Sequence, residues 1–194
     1  MVKTFTHDTV YENERFEGFS CQNISLHGTQ FYQCVFDQGD FQYSELKSCS
    51  FEDCTFSNCN CSLLKIPNSR LTNVLFNTCK LLGINWSSGN KLFTPAFSGC
   101  NLDSCVFSDL NLTKFRFDDC SLNDATFFRV SLADAVFHNC SLKNCSFSQA
   151  DLTNTDFSTS YDYFINAENN KLRKTLFSLP EATSLLKNFD IILK

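Results

Sequence analysis

Residues that interrupt regular structure are scarce in this chain. Three prolines and six glycines among 194 residues exclude a linker-rich or collagen-like design, and 19% charged residues are too few for a disordered polyelectrolyte. The formal net charge of −5 argues against a binder of the nucleic-acid backbone. No uninterrupted apolar run reaches the roughly 18 residues of a membrane span, and the opening MVKTFTHDTVYENERF has no apolar segment. Neither a span nor a signal peptide is expected, which makes the cytoplasm the expected compartment. The three histidines, His7, His27 and His138, are too scattered for a metal cluster or a triad. No G-x-x-x-x-G-K-[ST], G-x-G-x-x-G or G-x-S-x-G motif occurs, so no enzyme and no cofactor is expected. One Met and one Trp stand against 22 Phe and 12 Cys, so a core is being filled from a very short list of side chains. That points to repetition.

Every fifth residue back from Phe157 is Leu or Phe in strict alternation: Phe157, Leu152, Phe147, Leu142, Phe137 and so on to Phe97 and Leu92. One residue out of that register, the same spacing from Cys21 through Leu26, Phe31, Phe36 and Phe41 to Leu81 and Trp86 is apolar without a miss. A second stripe of small residues lies two positions before these centres, at Cys34, Cys49, Cys54, Cys59, Cys79, Cys100, Cys105, Cys120, Ala125, Ala135, Cys140, Cys145 and Ala150. A period of five suits neither regular element. On an α-helix five residues advance about 500°, which scatters the stripe around the circumference; on a flat strand five steps invert the face each time. Both stripes go inside only if a short extended step alternates with a corner of constant angle. Because Leu and Phe alternate, an even-sided coil stacks Leu on Leu and Phe on Phe, and four sides is the simplest choice.

The segments CSLND, VSLAD, CSLKN and ADLTN, beginning at 120, 130, 140 and 150, resemble the pentapeptide repeat pattern of a small residue, Asp or Asn, Leu and two variable positions. The resemblance covers roughly residues 21 to 157 and implies an all-β fold, a right-handed quadrilateral β-helix with four pentapeptides per coil, ended here by a short C-terminal α-helix. On this reading residues 1–20 form an N-terminal cap and 21–86 a first repeat block. A register slip occupies 87–91, where Gly89 and Asn90 are expected to take left-handed conformations. A second block spans 92–177 with an outward loop at 161–170, and 178–194 form a capping and dimerisation module. Ser178-Leu179-Pro180-Glu181 reads as a capping box opening the helix.

All twelve cysteines fall on inward positions at the structural period, so the expected role is that of a small buried hydrophobe rather than a metal ligand. Acidic pairs such as Glu52-Asp53 and Asp118-Asp119 read as a solvated exterior, and a filled rod has no concave pocket for catalysis. Residues 11–160 carry 16 acids against 10 bases, whereas 161–194 carry 4 against 5. Asp118, Asp119 and Asp156 fall on one outer face and Asp103 and Asp124 on the next, a candidate acidic interaction surface.

The stretch FSLPEATSLLKNFDIIL and the segment CKLLGINW resemble the quinolone-resistance branch of the family. This implies a homodimer, with Leu185, Leu186, Phe189 and Ile192 in the interface, whose long acidic rod imitates DNA and occupies DNA gyrase or topoisomerase IV. It implies no direct contact with nucleic acid or membrane. The alternative is a structural or adaptor rod for another protein partner. A continuous negative stripe favours mimicry, and mixed patches favour the adaptor.

Overall fold

A five-residue step repeats along the chain: about three extended residues with the middle one buried, then a corner. The computed structural model describes residues 4–89 and 93–189. Within them four such steps close one coil of a parallel β-solenoid of about eight turns. Strands pair with their equivalents one coil on, for example Val10–Glu12 with Gln30–Tyr32 and Arg116–Asp118 with Val136–His138, all in parallel. Four walls result. The second is centred on Phe16, Phe36, Phe56, Phe76, Phe97, Phe117, Phe137, Phe157 and Phe177. The first is centred on Tyr11, Phe31, Phe51 and Leu71, the third on residues such as Phe41, Cys61 and Leu122, and the fourth on residues such as Leu26, Leu46, Phe107 and Phe127. At about 4.8 Å per coil, the eight steps of the second wall span about 38 Å.

Stacking of like on like fills the interior. The nine phenylalanines of the second wall form one continuous pile, with successive ring centroids 4.5 to 6.1 Å apart. Phe107, Phe127 and Phe147 form a shorter pile on the fourth wall, and its rings meet those of the second wall edge-on, as at Phe127–Phe137 (5.8 Å, 84°). Offset stacking along the axis and edge-to-face contact across it are the two favoured aromatic geometries. At the small position, Cys, Ser and Thr donate to a carbonyl of the preceding coil: Cys54 Sγ to Phe31 O, Thr155 Oγ1 to Leu132 O and Ser160 Oγ to Phe137 O. The abundant cysteines therefore combine an apolar volume with a weak donor.

The offset between paired coils is 20 residues up to Asn60–Lys80 and 21 at Lys80–Asn101 and Asn85–Val106. A 3₁₀ turn, Trp86–Ser88, sits at the step, with Asn85 Oδ1 accepting from Ser87 N–H. The expected left-handed glycine is not what absorbs the extra residue. Gly89 is extended (φ −74°), and its lack of a side chain matters because a Cβ there would lie 3.2 Å from the Ser69 carbonyl oxygen. Asn90 and Leu92 lie outside the described residues.

Coiling starts ahead of Cys21. Phe16 pairs with Phe36, and Phe5 enters the open end to lie 5.1 to 5.8 Å from the rings of Phe16, Phe19, Phe31 and Tyr11. Phe19 occupies a small position because its partner one coil on is Gly39, where a Cβ would collide with the Phe19 ring at 2.3 Å. At the other end, 163–170 leave the ladder between the bridges at Tyr161 and Lys171 while Tyr163 and Ile165 remain buried. The helix is one turn, Leu179–Ala182, continued by the 3₁₀ segment Thr183–Phe189. The capping box does not form as expected. The Ser178 hydroxyl donates to Glu181 Oε2 at 2.7 Å instead of accepting from the helix backbone, and Tyr163 OH accepts from Ser178 N–H.

Replacing Phe127 by Ala, which removes the middle ring of a pile at 0% exposure, is expected to cost about 3 to 5 kcal/mol in denaturant unfolding. Ser148→Ala on the outer surface should stay within about 0.5 kcal/mol of wild type.

Candidate interaction surface

Since the centres and small positions are consumed by the interior, the other three residues of each pentapeptide make the surface. Among the described residues no group of three or more His, Cys, Asp or Glu is arranged to hold a metal ion, and no helix is long and apolar enough to cross a membrane.

Corners are built on left-handed residues. Among the described residues, twenty-six non-glycine residues have positive φ, nearly all of them Asn, Asp, Gln, Ser, Thr, Lys or Arg; Asn and Asp visit this region at least cost. Their stacking gives the surface a rule. Asn139 Nδ2 donates to Asp119 Oδ1 (2.7 Å), Asn144 to Asp124 (3.1 Å), Asn154 to Asp134 (2.9 Å) and Asn73 to Asp53 (3.1 Å). An amide thus lies over each of these carboxylates.

The five acids of the candidate surface follow the same rule or close variants of it. Asp118 is held by Arg116 at 2.6 Å and faces His138 Nδ1 at 3.5 Å. Asp103 Oδ1 accepts from Ser121 Oγ and Asn123 N–H at 2.6 and 2.8 Å, and Asp156 Oδ1 accepts from Ser158 N–H at 2.8 Å. Elsewhere Arg129 pairs with Asp109 and Lys171 with Asp151, each at 2.8 Å across one coil. In the described coils, carboxylates occupy equivalent positions of successive coils at one place, Glu17 and Asp37, where Arg15 reaches both. Bases therefore interrupt the acids along some columns, such as Asp109–Arg129 and Asp151–Lys171, whereas the columns through Glu12 and Glu52 and through Glu17, Asp37 and Asp118 hold no Lys or Arg. These ion pairs are exposed and contribute little stability individually.

Leu185 packs half-buried against the core and Leu186 is exposed. Ile192 and the side chain of Phe189 lie outside what the structure describes. Leu176 and Leu179 are exposed beside them, at 53% and 86%. Here the Ser178 hydroxyl holds the Glu181 carboxyl below its ordinary pKa.

An apolar corner went unrecognised in the sequence. Tyr43 and Leu63 are the only large apolar side chains among the 26 left-handed positions, and they are one coil apart. The signal was present: both fall on the outward corner position, two residues after a centre, where polar residues prevail.

All twelve cysteines are buried. Cys59, Cys79, Cys100, Cys120 and Cys140 occupy the same small position in five successive coils, and burial pushes the Cys61 and Cys145 thiols well above the usual range, Cys54 up to about 11 and Cys105 up to about 12. Native-state labelling by a thiol reagent should therefore be slow and reach completion only on denaturation. Because these folded pKa values exceed the unfolded value, the thiols favour the folded state fully below pH 9 and lose that contribution as pH rises through 11 to 12. The denaturation midpoint should accordingly be flat near neutrality and fall in that alkaline window.

Residues 120–158 match the family model of pentapeptide repeats, in eight copies. Among solved structures, trypsin-treated QnrB1, a plasmid-mediated fluoroquinolone resistance protein, aligns at 18% identity over 97% of this chain and 98% of its own, with a TM-score of 0.42. HetL, a pentapeptide repeat protein involved in heterocyst differentiation regulation from the cyanobacterium Nostoc, aligns at 15% identity over 87% of this chain and 86% of its own, with a TM-score of 0.43. No curated protein sequence matches the chain.

Proposed function

We propose that this β-solenoid, of which residues 120–158 match the pentapeptide repeat family model, is a non-enzymatic rod that binds a protein partner through its outer faces. The observation that carries this reading is the pairing of the exterior. With Arg15, Arg116, Arg129 and Lys171 set against carboxylates and several other acids hydrogen-bonded by Asn, the rod offers flat faces with both signs present and a filled interior, which suit contact with a folded protein better than catalysis. The rod works as a homodimer joined at its C-terminal end. Leu176, Leu179 and Leu186 leave more apolar surface there than a cap needs.

Imitation of DNA toward gyrase or topoisomerase IV is the second reading. The net charge of −5 and the cluster Glu12, Glu14, Glu17 and Asp37 at the N-terminal end favour it. A gyrase supercoiling assay with and without ciprofloxacin separates the two. On the leading reading micromolar dimer leaves both unchanged. Inhibition, or relief of poisoning, that fades with salt and is lost when Asp103, Asp118, Asp119 and Asp124 are all changed to Asn would transfer the function to mimicry, because steering by charge is screened within about 10 Å at 0.1 M salt.

A chain ending at Phe177 is expected to be a monomer, or to aggregate, by light scattering. A clean dimer from that truncation would move the interface elsewhere.

A further inference from the structure

The corner between the third and fourth walls carries two costs at once. Tyr43 (φ 60°) and Leu63 (φ 58°) hold bulky side chains in the left-handed region, where such residues are strained. Both side chains also stand in solvent: Tyr43, Leu63 and the adjoining Leu82 are 55%, 40% and 40% exposed. Leu63 N–H donates to Leu82 O at 2.8 Å, which ties the two coils together at this point. The next corner residue is Gly83, and Leu63 lies across the space its side chain would fill, since a Cβ there would meet Leu63 Cδ2 at 2.7 Å. The outcome is a groove of about 650 Å³ lined by Tyr43, Leu63, Leu64, Pro67 and Gly83, with Glu45 and Lys65 side by side along one edge.

We infer that this groove docks an amphipathic α-helix of a partner protein, laid along the rod axis; the inference rests on the reading of the rod as a protein-binding module. Two features select that occupant. The two apolar corner residues lie one coil apart, about 4.8 Å, and a helix presents its apolar ridge once per turn, about 5.4 Å, so the mismatch between the anchors is about 0.6 Å. An extended peptide repeats a face every 6.6 Å or so and loses register at once. Glu45 and Lys65, one coil apart, call for a basic residue beside one anchor and an acidic residue one turn away.

The test uses a fluorescein-labelled model helix with leucines spaced alternately three and four apart, a Lys and a Glu one turn apart beside them, and a proline-interrupted peptide of the same composition. Anisotropy is read against the full chain and against Tyr43→Asn/Leu63→Asn, in which Asn suits the left-handed corners. The expected result is binding of the helix at least tenfold tighter than the control peptide, a loss of at least tenfold in the double variant, and a variant Tm equal to or above that of wild type. Equal binding of both peptides, equal binding by the variant, or a Tm well below wild type would overturn the inference. So would a fall in sedimenting mass of the variant, which would make the corner a contact between copies. Cross-linking in cell extract separates the two levels: a partner held equally by wild type and variant leaves the rod a binder but removes this groove from it, and no partner at all counts against the broader reading.

Discussion

Each interior side chain has its counterpart one coil above and one coil below, and this in-register stacking at about 4.8 Å is the constraint on which the rest depends. A residue at a centre must suit itself, since its neighbours along the axis are residues of the same class. Phenylalanine meets that condition by offset stacking, and nine of them in line give the second wall its continuity. The small position has the same requirement with less room. Cysteine, serine and threonine meet it by donating to the carbonyl of the coil behind, which is why Cys100 and Ser160 are interchangeable in role within one column.

What repeats was legible, because each copy restates the rule. The five-residue period, the even-sided coil and the inward cysteines all follow from residues 92 to 157 without any long-range information. Even the slip after Trp86 is visible as a change of phase. Its mechanism is not, because Gly89 answers to the Ser69 carbonyl one coil back rather than to its own φ. The ends were less legible for a related reason: Phe5 lies before the phase begins and is placed by the open end of the rod, and Ser178 is drawn from its helix by Glu181 and Tyr163. Single-copy contacts leave no periodic signature.

The surface falls between these cases. Offsets of 20 residues were available to pair Arg129 with Asp109 or Asn139 with Asp119, yet assigning acids to faces by position alone hides the neighbour along the column. Counted by face, Asp103, Asp118, Asp119, Asp124 and Asp156 look like an acidic edge; followed along the axis, each is answered by a hydrogen-bond donor, in three cases on an adjacent coil and for Asp118 and Asp156 on its own.

That difference has a physical origin in the fold. A solenoid that repeated Asp at one position would stack carboxylates at the coil spacing, where two unit charges repel by roughly 1 kcal/mol even in water. The cost would recur with every coil. Alternating Asp with Asn keeps a left-handed former at each corner and replaces repulsion with a hydrogen bond, and Arg15 does the same service where Glu17 and Asp37 do coincide. A rod that spaces its charge in this way gains a regular wall free of stacked carboxylates, while its net charge of −5 stays on the molecule. On the proposed reading, recognition falls to short-range features that the repeat does not itself require. Tyr43 and Leu63 are apolar, exposed and left-handed at once, a combination that the coil does not require, since Asn adopts that corner conformation with less strain.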